Sequence, residues 1–533
     1  MDLRSIYRPA VGLCALLLTA GAVADTEAEY IKRGERSWAD VRVLAHDDLE
    51  GRRAGSPGHR RAAQYVAAAF KKAGLEPGGD NGWFQKVALH SRTIREENSS
   101  ATLVGSAGER KLTLGTDATF SLRSDFSPKV EAPLVFAGYG LKLPQYQHDD
   151  LAGLDLEGKV VVVFTAAPTS VPGAAGAHFG SAIERWKVYR DAGAIGVIAI
   201  LNPFSMDLPW ERIAKSRFEP VMALGPPEED LLAGMQLALT INPANLAVLF
   251  EGAPKSADEV LAALKAGEAL PRFDLPWRIR TAIDAEVTTA TSDNVIGVLR
   301  GSDPTLRAEQ VVLTAHLDHL GVASAGDGDR IYNGAMDNAS GIAVLMDIAK
   351  RFRETKARPK RTVVFAAVTA EESGLLGSRA FVSRAQRMRV NVVANLNTDM
   401  FLPLVPLKQL VVFGLDESEL GEDVRAIGAQ LGVTIQPDPQ PLRNRFIRSD
   451  QYSFVRAGIP ALALKTGFDT GTPEADAERE WFAKRYHAPA DDVSQPVDLG
   501  SMGKYSDLLE RLTLRVANRE RAPAWNATSP FKR

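Results

Sequence analysis

The chain has 533 residues, 45% of them hydrophobic and 24% charged, an ordinary globular composition that excludes disorder and fibres and is long enough for two or three cores. With 63 Lys plus Arg against 66 Asp plus Glu, the net charge of -3 leaves no basic surplus for a phosphate backbone, so no nucleic-acid partner is expected. The single cysteine, Cys14, excludes a disulfide framework, a thiolate metal site and a cysteine nucleophile from the folded body.

Residues 1–24 read as an export signal: Arg4 and Arg8 supply a basic start, 10–20 is apolar, and Ala22-Val23-Ala24 offers small residues for cleavage after Ala24. The apolar run is too short to span a bilayer, and no later stretch is long enough. Leu13 is not the small residue that a lipid anchor on Cys14 requires. The expectation is a secreted or periplasmic protein with no membrane span once the signal is removed.

Residues 25–129 open the first domain, where 60–74 (RRAAQYVAAAFKKAG) places Ala63, Val66, Ala67 and Phe70 on one helical stripe and stops at Gly74. The character changes over 130–274, a separate inserted module of apolar runs punctuated by Gly and Pro. There GKVVVVF is a buried strand, and a helix over 183–192 leads through Gly193 into the strand AIGVIAI. From 275 to 525 a strand-then-helix alternation argues a mainly parallel, helix-covered sheet. Its strands are VVLTA (311–315), TVVFAAVT (362–369), VVANLNT (392–398), LVVFGL (410–415) and PALALKT (460–466). Leu345, Ile348, Ala349 and Phe352 mark one covering helix and Leu508, Leu509, Leu512 and Val516 another, before a tail at 526–533. No internal repeat is present.

In such sheets ligands bind beyond the carboxyl ends of the strands. The first strand runs into His316-Leu317-Asp318, the second into Glu371-Glu372 and the third into Asp399; Asp337 opens the helix near Ser340, and His487 follows Tyr486 in a late loop. Any one of these reads blandly as a solvated loop residue. Together, His316, Asp337, Glu372, Asp399 and His487 form an imidazole and carboxylate set suited to zinc. Three carboxylates and two neutral imidazoles leave charge for two ions and a hydroxide, and Asp337 lies between the others as an economical bridge. Asp318 is read as an outer acceptor for an imidazole N–H, its bland alternative being a solvated turn residue. Adjacent side chains diverge, so Glu372 is assigned to metal and Glu371 to the general base; the competing reading is two exposed acids at a helix start.

The blocks TAHLDHLG, AMDNASGIAVLMDIAK, TAEESGLLGSRAFV, NTDM and YHAPADD resemble, in type and order, the co-catalytic dizinc exopeptidases, the family of bacterial leucyl aminopeptidase and glutamate carboxypeptidase. LEGRRAGSPGHRRAAQYV resembles that family's catalytic-domain start, and GKVVVVF with RDAGAIGVIAI resembles its inserted protease-associated domain. The resemblance implies an α/β class protein: a three-layer α/β/α catalytic domain with a mixed, mainly parallel central sheet, plus an inserted β-rich domain. It implies two Zn²⁺ per chain, with Asp337 bridging, His316 and Asp399 completing one site and Glu372 and His487 the other. Glu371 matches the proton shuttle, Asp318 the outer partner of the histidine, and Asp337-Asn338 a cis peptide. Gln451 stands where family members often have histidine after Ser-Asp.

The implied reaction is hydrolysis of a peptide bond beside a chain end, aminopeptidase action on a peptide substrate being the expectation. Tyr486 is a candidate for steadying the oxyanion, with plain packing as its alternative. His319 is read as a surface residue. Carboxypeptidase action on acidic peptides would use Arg443, Arg445 and Arg448, which otherwise read as a solvated basic loop. Two more readings stay open, a single-zinc glutaminyl cyclase and a non-catalytic receptor-like binding protein. Nothing in the sequence bears on oligomeric state.

Overall fold

The computed structural model describes residues 26–106, 108–206, 208–225, 230–324 and 326–532; the expected export signal lies outside them. Its main sheet has strands β1 (Phe84–Ile94), β2 (Val221–Leu224), β3 (Ala285–Leu299), β4 (Glu309–His316), β5 (Thr362–Val368), β6 (Asn391–Thr398), β7 (Gln409–Phe413), β8 (Thr434–Gln436) and β9 (Ala461–Thr466). Their spatial order is β2-β1-β3-β5-β4-β6-β9-β7-β8, with Glu76–Pro77 paired to the end of β3. The central β5-β4-β6-β9 pairings are parallel and the flanking β3/β5 and β9/β7 pairings antiparallel, so the sheet is mixed.

Strand alternation builds two apolar layers, one on each face. Val311, Leu313 and Ala315 of β4 join a core with α1 (Glu27–Leu44), α2 (Pro57–Lys72), α3 (Ser340–Glu354) and α6 (Leu499–Ala517). Val312 and, from β5, Val364, Ala366 and Val368 pack on the other face against α4 (Leu376–Arg387) and α5 (Gln451–Arg456). The helices carry ordinary start signals: Thr26 and Glu29 form a capping box on α1, and Ser56 caps α2 ahead of Pro57 at its first position.

A second sheet holds Gly108–Leu112, Ser100–Gly105, Phe273–Ala282, Lys129–Phe136, Val160–Phe164, Gly196–Ile200, Leu237–Ile241 and Ala118–Phe120, in that order. It draws on residues on both sides of the expected 130–274 module. SATLVG and GERKL carry too little contiguous apolar sequence to announce themselves as strands; GERKL is the edge strand and SATLVG the strand next to it. Within the module, Val221–Leu224 leaves the second sheet to pair with β1 of the first. The segment expected as a tail is tied in through Phe531, which is buried and packs on Phe446 and His178. Among the described residues no helix is long and apolar enough to cross a membrane.

Parallel register sets the site. His316 pairs with Val368 and Thr314 with Asn397, so the chain leaves β4, β5 and β6 at one level, and His316, Glu371-Glu372 and Asp399 emerge side by side.

Candidate metal centre

His316 ends β4 with its ring buried. Its Nε2 lies 3.2 Å from Asp337 Oδ1 and 3.2 Å from Asp399 Oδ1. His487 Nε2 lies 3.4 Å from Asp337 Oδ2 and 3.2 Å from Glu372 Oε2. The five expected ligands therefore converge, and the two oxygens of Asp337 face different imidazoles. Two donors bound tetrahedrally to one zinc ion at about 2.0–2.1 Å lie about 3.4 Å apart, which is the spacing of these pairs. The donor set and its spacing fit divalent zinc.

Asp337 sits in the irregular turn Ala335–Ala339 that leads into α3, and the Asp337–Asn338 peptide is cis. The turn is pinned by Asp491, a residue that no sequence pattern singles out. Its Oδ1 accepts the Met336 N–H at 2.9 Å, its Oδ2 the Asp337 N–H at 3.0 Å, and its carbonyl the Ala335 N–H at 3.0 Å. Asn338 Nδ2 donates to Thr398 O at 3.0 Å, fastening the same turn to the end of β6. Asp492, the second acid of the ADD doublet past His487, is only half-buried, and the fold alone distinguishes it from the enclosed Asp491.

Asp318 takes its place behind His316 by a different atom from the one expected. His316 Nδ1 donates to the Asp318 main-chain carbonyl at 3.0 Å, while the carboxylate is 3.9 Å away and accepts the Glu371 N–H at 3.1 Å. Two residues past a strand end, the backbone turns its carbonyl to the ring and sends the side chain across to the next strand end. The carbonyl contact places the proton on Nδ1 and leaves Nε2 facing the site.

Glu371 and Glu372 lie in the turn between β5 and α4, and both are largely enclosed, so they are not two exposed acids at a helix start. Burial, with the charges of Glu372 and Asp399, pushes Glu371 well above the usual carboxylate range. Asp450 is pushed up to about 7 by burial, aided by the charges of Asp399 and Asp318 and opposed by His316 and Ser378. Asp337 and Glu372 are held low against burial, Asp337 by His319, His316 and His487 and Glu372 by His487 and His319; His316 and His487 are held well above the imidazole range by the carboxylates. So dense an anionic cluster is what a divalent cation relieves.

His319 is a correction: it is not on the surface but buried, with Nδ1 2.7 Å from Glu372 Oε1. The loop after β4 folds inward under the site instead of out into solvent. Tyr486 is buried with its ring 4.0 Å from that of His487, and its hydroxyl accepts from Arg448 Nη2 at 3.2 Å. The cleft above these groups has a volume of about 390 Å³. Arg445 and Arg448 line it, as do Arg123, Ser181, Ala182 and Ile183 from the segment carrying the second sheet; Arg443 does not.

Residues 294–513 match Peptidase family M28. The chain is 24% identical over 419 residues to a glutamate carboxypeptidase 2 homolog of Caenorhabditis briggsae, covering 68% of this chain and 50% of that one. It is 30% identical over 226 residues to a probable leucine aminopeptidase 2 of Aspergillus oryzae, covering 40% of this chain and 42% of that one. It thus spans about half the length of the curated relatives it matches. The fold is similar to that of an aminopeptidase from Aneurinibacillus sp. strain AM-1, with a TM-score of 0.54 and 20% identity, over 94% of this chain and 97% of that one.

Proposed function

We propose, from the membership of residues 294–513 in peptidase family M28, that this protein is an exported two-zinc aminopeptidase that releases N-terminal residues from peptides. The observation that carries the reading is the divided carboxylate of Asp337, one oxygen toward His316 and the other toward His487. His316 and Asp399 would hold one ion with Asp337, and Glu372 and His487 the other. Zinc held there would lower the pKa of a bound water towards about 7 and polarise a scissile carbonyl.

Glu371 is the general base. Its donor atom lies within 4.8 Å of those of His316 and Glu372, yet it takes part in neither of the ligand pairings around Asp337. Its enclosure raises its proton affinity, the direction required of a group that takes a proton from water and returns it to the leaving amine. Arg448 donates to the Tyr486 hydroxyl oxygen, which leaves the O–H of Tyr486 to donate to a developing oxyanion. We read the second-sheet segment as the protease-associated domain; the presence of Arg123, Ser181, Ala182 and Ile183 in the cleft wall supports a role in narrowing access. Deleting it without changing preference among peptide lengths would remove that role.

A second reading, carboxypeptidase action on acidic peptides, is favoured by Arg445 and Arg448 lining the cleft. The test is a zinc count paired with Glu371→Gln, assayed on aminoacyl chromogenic amides and on peptides with free carboxyl ends. Two ions retained with the rate down by several orders of magnitude supports the assignment. Release from carboxyl ends alone replaces the aminopeptidase reading, and one ion per chain favours a single-zinc cyclase.

A further inference from the structure

His319 stands at the donor cluster, its ring nitrogen within 4.8 Å of donor oxygens of Asp337 and Glu372, though it is not among the five ligands of the two-zinc reading. Its side chain is fully buried, its Nδ1 is 2.7 Å from Glu372 Oε1, and Asp337 Oδ2 is 3.9 Å away. A separation of 2.7 Å is a hydrogen bond. It falls well short of the spacing of about 3.4 Å between two donors on one ion, which the His487 to Glu372 Oε2 distance of 3.2 Å does approach.

The proton follows from the surroundings. His319 Nε2 is buried with no hydrogen-bond partner. A proton there would leave a donor unmet and set the Nδ1 lone pair against a carboxylate oxygen. A proton on Nδ1 satisfies both the ring and Glu372. The ring is packed against Gly334: a Cβ there would lie 2.2 Å from the Asp337 carbonyl oxygen and 2.6 Å from the ring's Cγ and Cδ2, and Gly334 itself has a φ of 61°. Gly334 opens the turn that presents Asp337, so the imidazole is clamped by the same backbone that positions the bridge.

We infer that His319 is a positioning residue that donates Nδ1–H to Glu372 Oε1 and thereby turns Glu372 Oε2 toward His487, so that Glu372 offers one oxygen to metal instead of two. The inference rests on the two-zinc reading of the site. Without the imidazole, Glu372 is free to rotate among Asp337, Glu371 and water, and only the ion on the His487 side loses a well-oriented ligand.

The test is zinc retention by the full-length protein against a graded series of chelator-buffered zinc concentrations, with thermal unfolding followed in parallel. Wild type, His319→Phe, His319→Gln and Gly334→Ala are compared. His319→Phe is expected to bind one of its two ions about 10–100-fold more weakly and the other normally. His319→Gln, whose amide can still donate, should recover part of the loss, whereas Gly334→Ala, whose Cβ would press on the Asp337 carbonyl, should weaken both ions. Two ions held at wild-type affinity by His319→Phe overturn the inference, as does loss of both ions together in that variant. A wild-type chain holding fewer than two zinc ions is a different result, which removes the two-zinc reading itself.

Discussion

Asp491 gives both of its carboxylate oxygens to the turn that carries Asp337, accepting the Met336 N–H at 2.9 Å and the N–H of Asp337 itself at 3.0 Å. A charge just past His487 in the chain thus fixes the main chain of the proposed bridge. Asp491→Asn keeps the shape but replaces one acceptor with a donor aimed at a buried N–H. The expected cost is about 1–3 kcal/mol of stability and about a 10–100-fold loss of zinc affinity. Chemical unfolding with zinc titration measures both, and wild-type zinc affinity in Asp491→Asn would disprove the link.

Zinc should be a large share of the stability. The cluster of Asp337, Glu371, Glu372, Asp399 and Asp450 is mutually repulsive, and an ion that binds only the folded chain adds about 4.1 kcal/mol at a thousandfold excess over its Kd. Chelation is expected to lower the unfolding midpoint and His316→Ala to shrink the shift that zinc restores. An identical midpoint with and without chelator contradicts this.

Acid sensitivity has a source away from the metal. His59, buried in the first turn of α2, has its pKa pushed down to about 3 by burial and then by the Arg52 charge. The unfolded chain binds a proton near pH 6.5 that the folded chain refuses, so this stability is present above pH 6.5 and is lost as pH falls toward 3. The slope is about 1.4 kcal/mol per pH unit. Unfolding of wild type and His59→Gln at pH 7, 6 and 5 should differ in slope by one proton; parallel slopes rule out His59.

The central strands were legible because β4, β5 and β6 are buried runs rich in Val, Leu and Ala, and each ends near a chemistry-bearing residue: His316, Glu371-Glu372, Asp399. Convergence of His487 on Asp337 was legible only through family resemblance, since no spacing relates residues so far apart. The edge strand Val221–Leu224 escapes a reading of the sequence because four residues inside another module's sequence carry no period of their own. His319 reads as a surface residue in sequence because adjacency to a ligand says nothing of which way a loop folds, and its burial depends on Gly334 leaving room.

Arg33 joins three helices through buried charge. Its Nε lies 2.5 Å from Asp347 Oδ2 of α3 and its Nη2 2.7 Å from Glu510 Oε2 of α6, all three side chains being almost enclosed. Arg33→Met strands two carboxylates and is expected to cost about 3–5 kcal/mol, whereas adding Asp347→Leu and Glu510→Met should recover most of it. Burial already holds Asp347 and Glu510 above the usual carboxylate range, so the single variant regains stability relative to wild type as pH falls and they protonate. A triple variant no better than the single one would mean that packing, not charge, sets the cost.

Arg212 lies in the helix Trp210–Ser216 of the second-sheet segment and reaches the loop of His487. Its Nη1 donates to Tyr486 O at 2.8 Å and its Nη2 to Ala483 O at 3.1 Å. Ala483 is at the C-terminal end of the helix Pro473–Lys484, where carbonyls lack helical partners and the macrodipole favours a cation. One guanidinium therefore closes the helix and holds the residue before His487. Lysine has the charge but not the planar fork that spans two carbonyls, so Arg212→Lys should behave more like Arg212→Ala than like wild type. Both are expected to lose about 1.5–3 kcal/mol of stability and to release more readily the zinc ion that His487 would hold. If Arg212→Ala binds zinc as wild type does and only its stability falls, the segment props the loop without tuning the site; if neither changes, the contact contributes nothing.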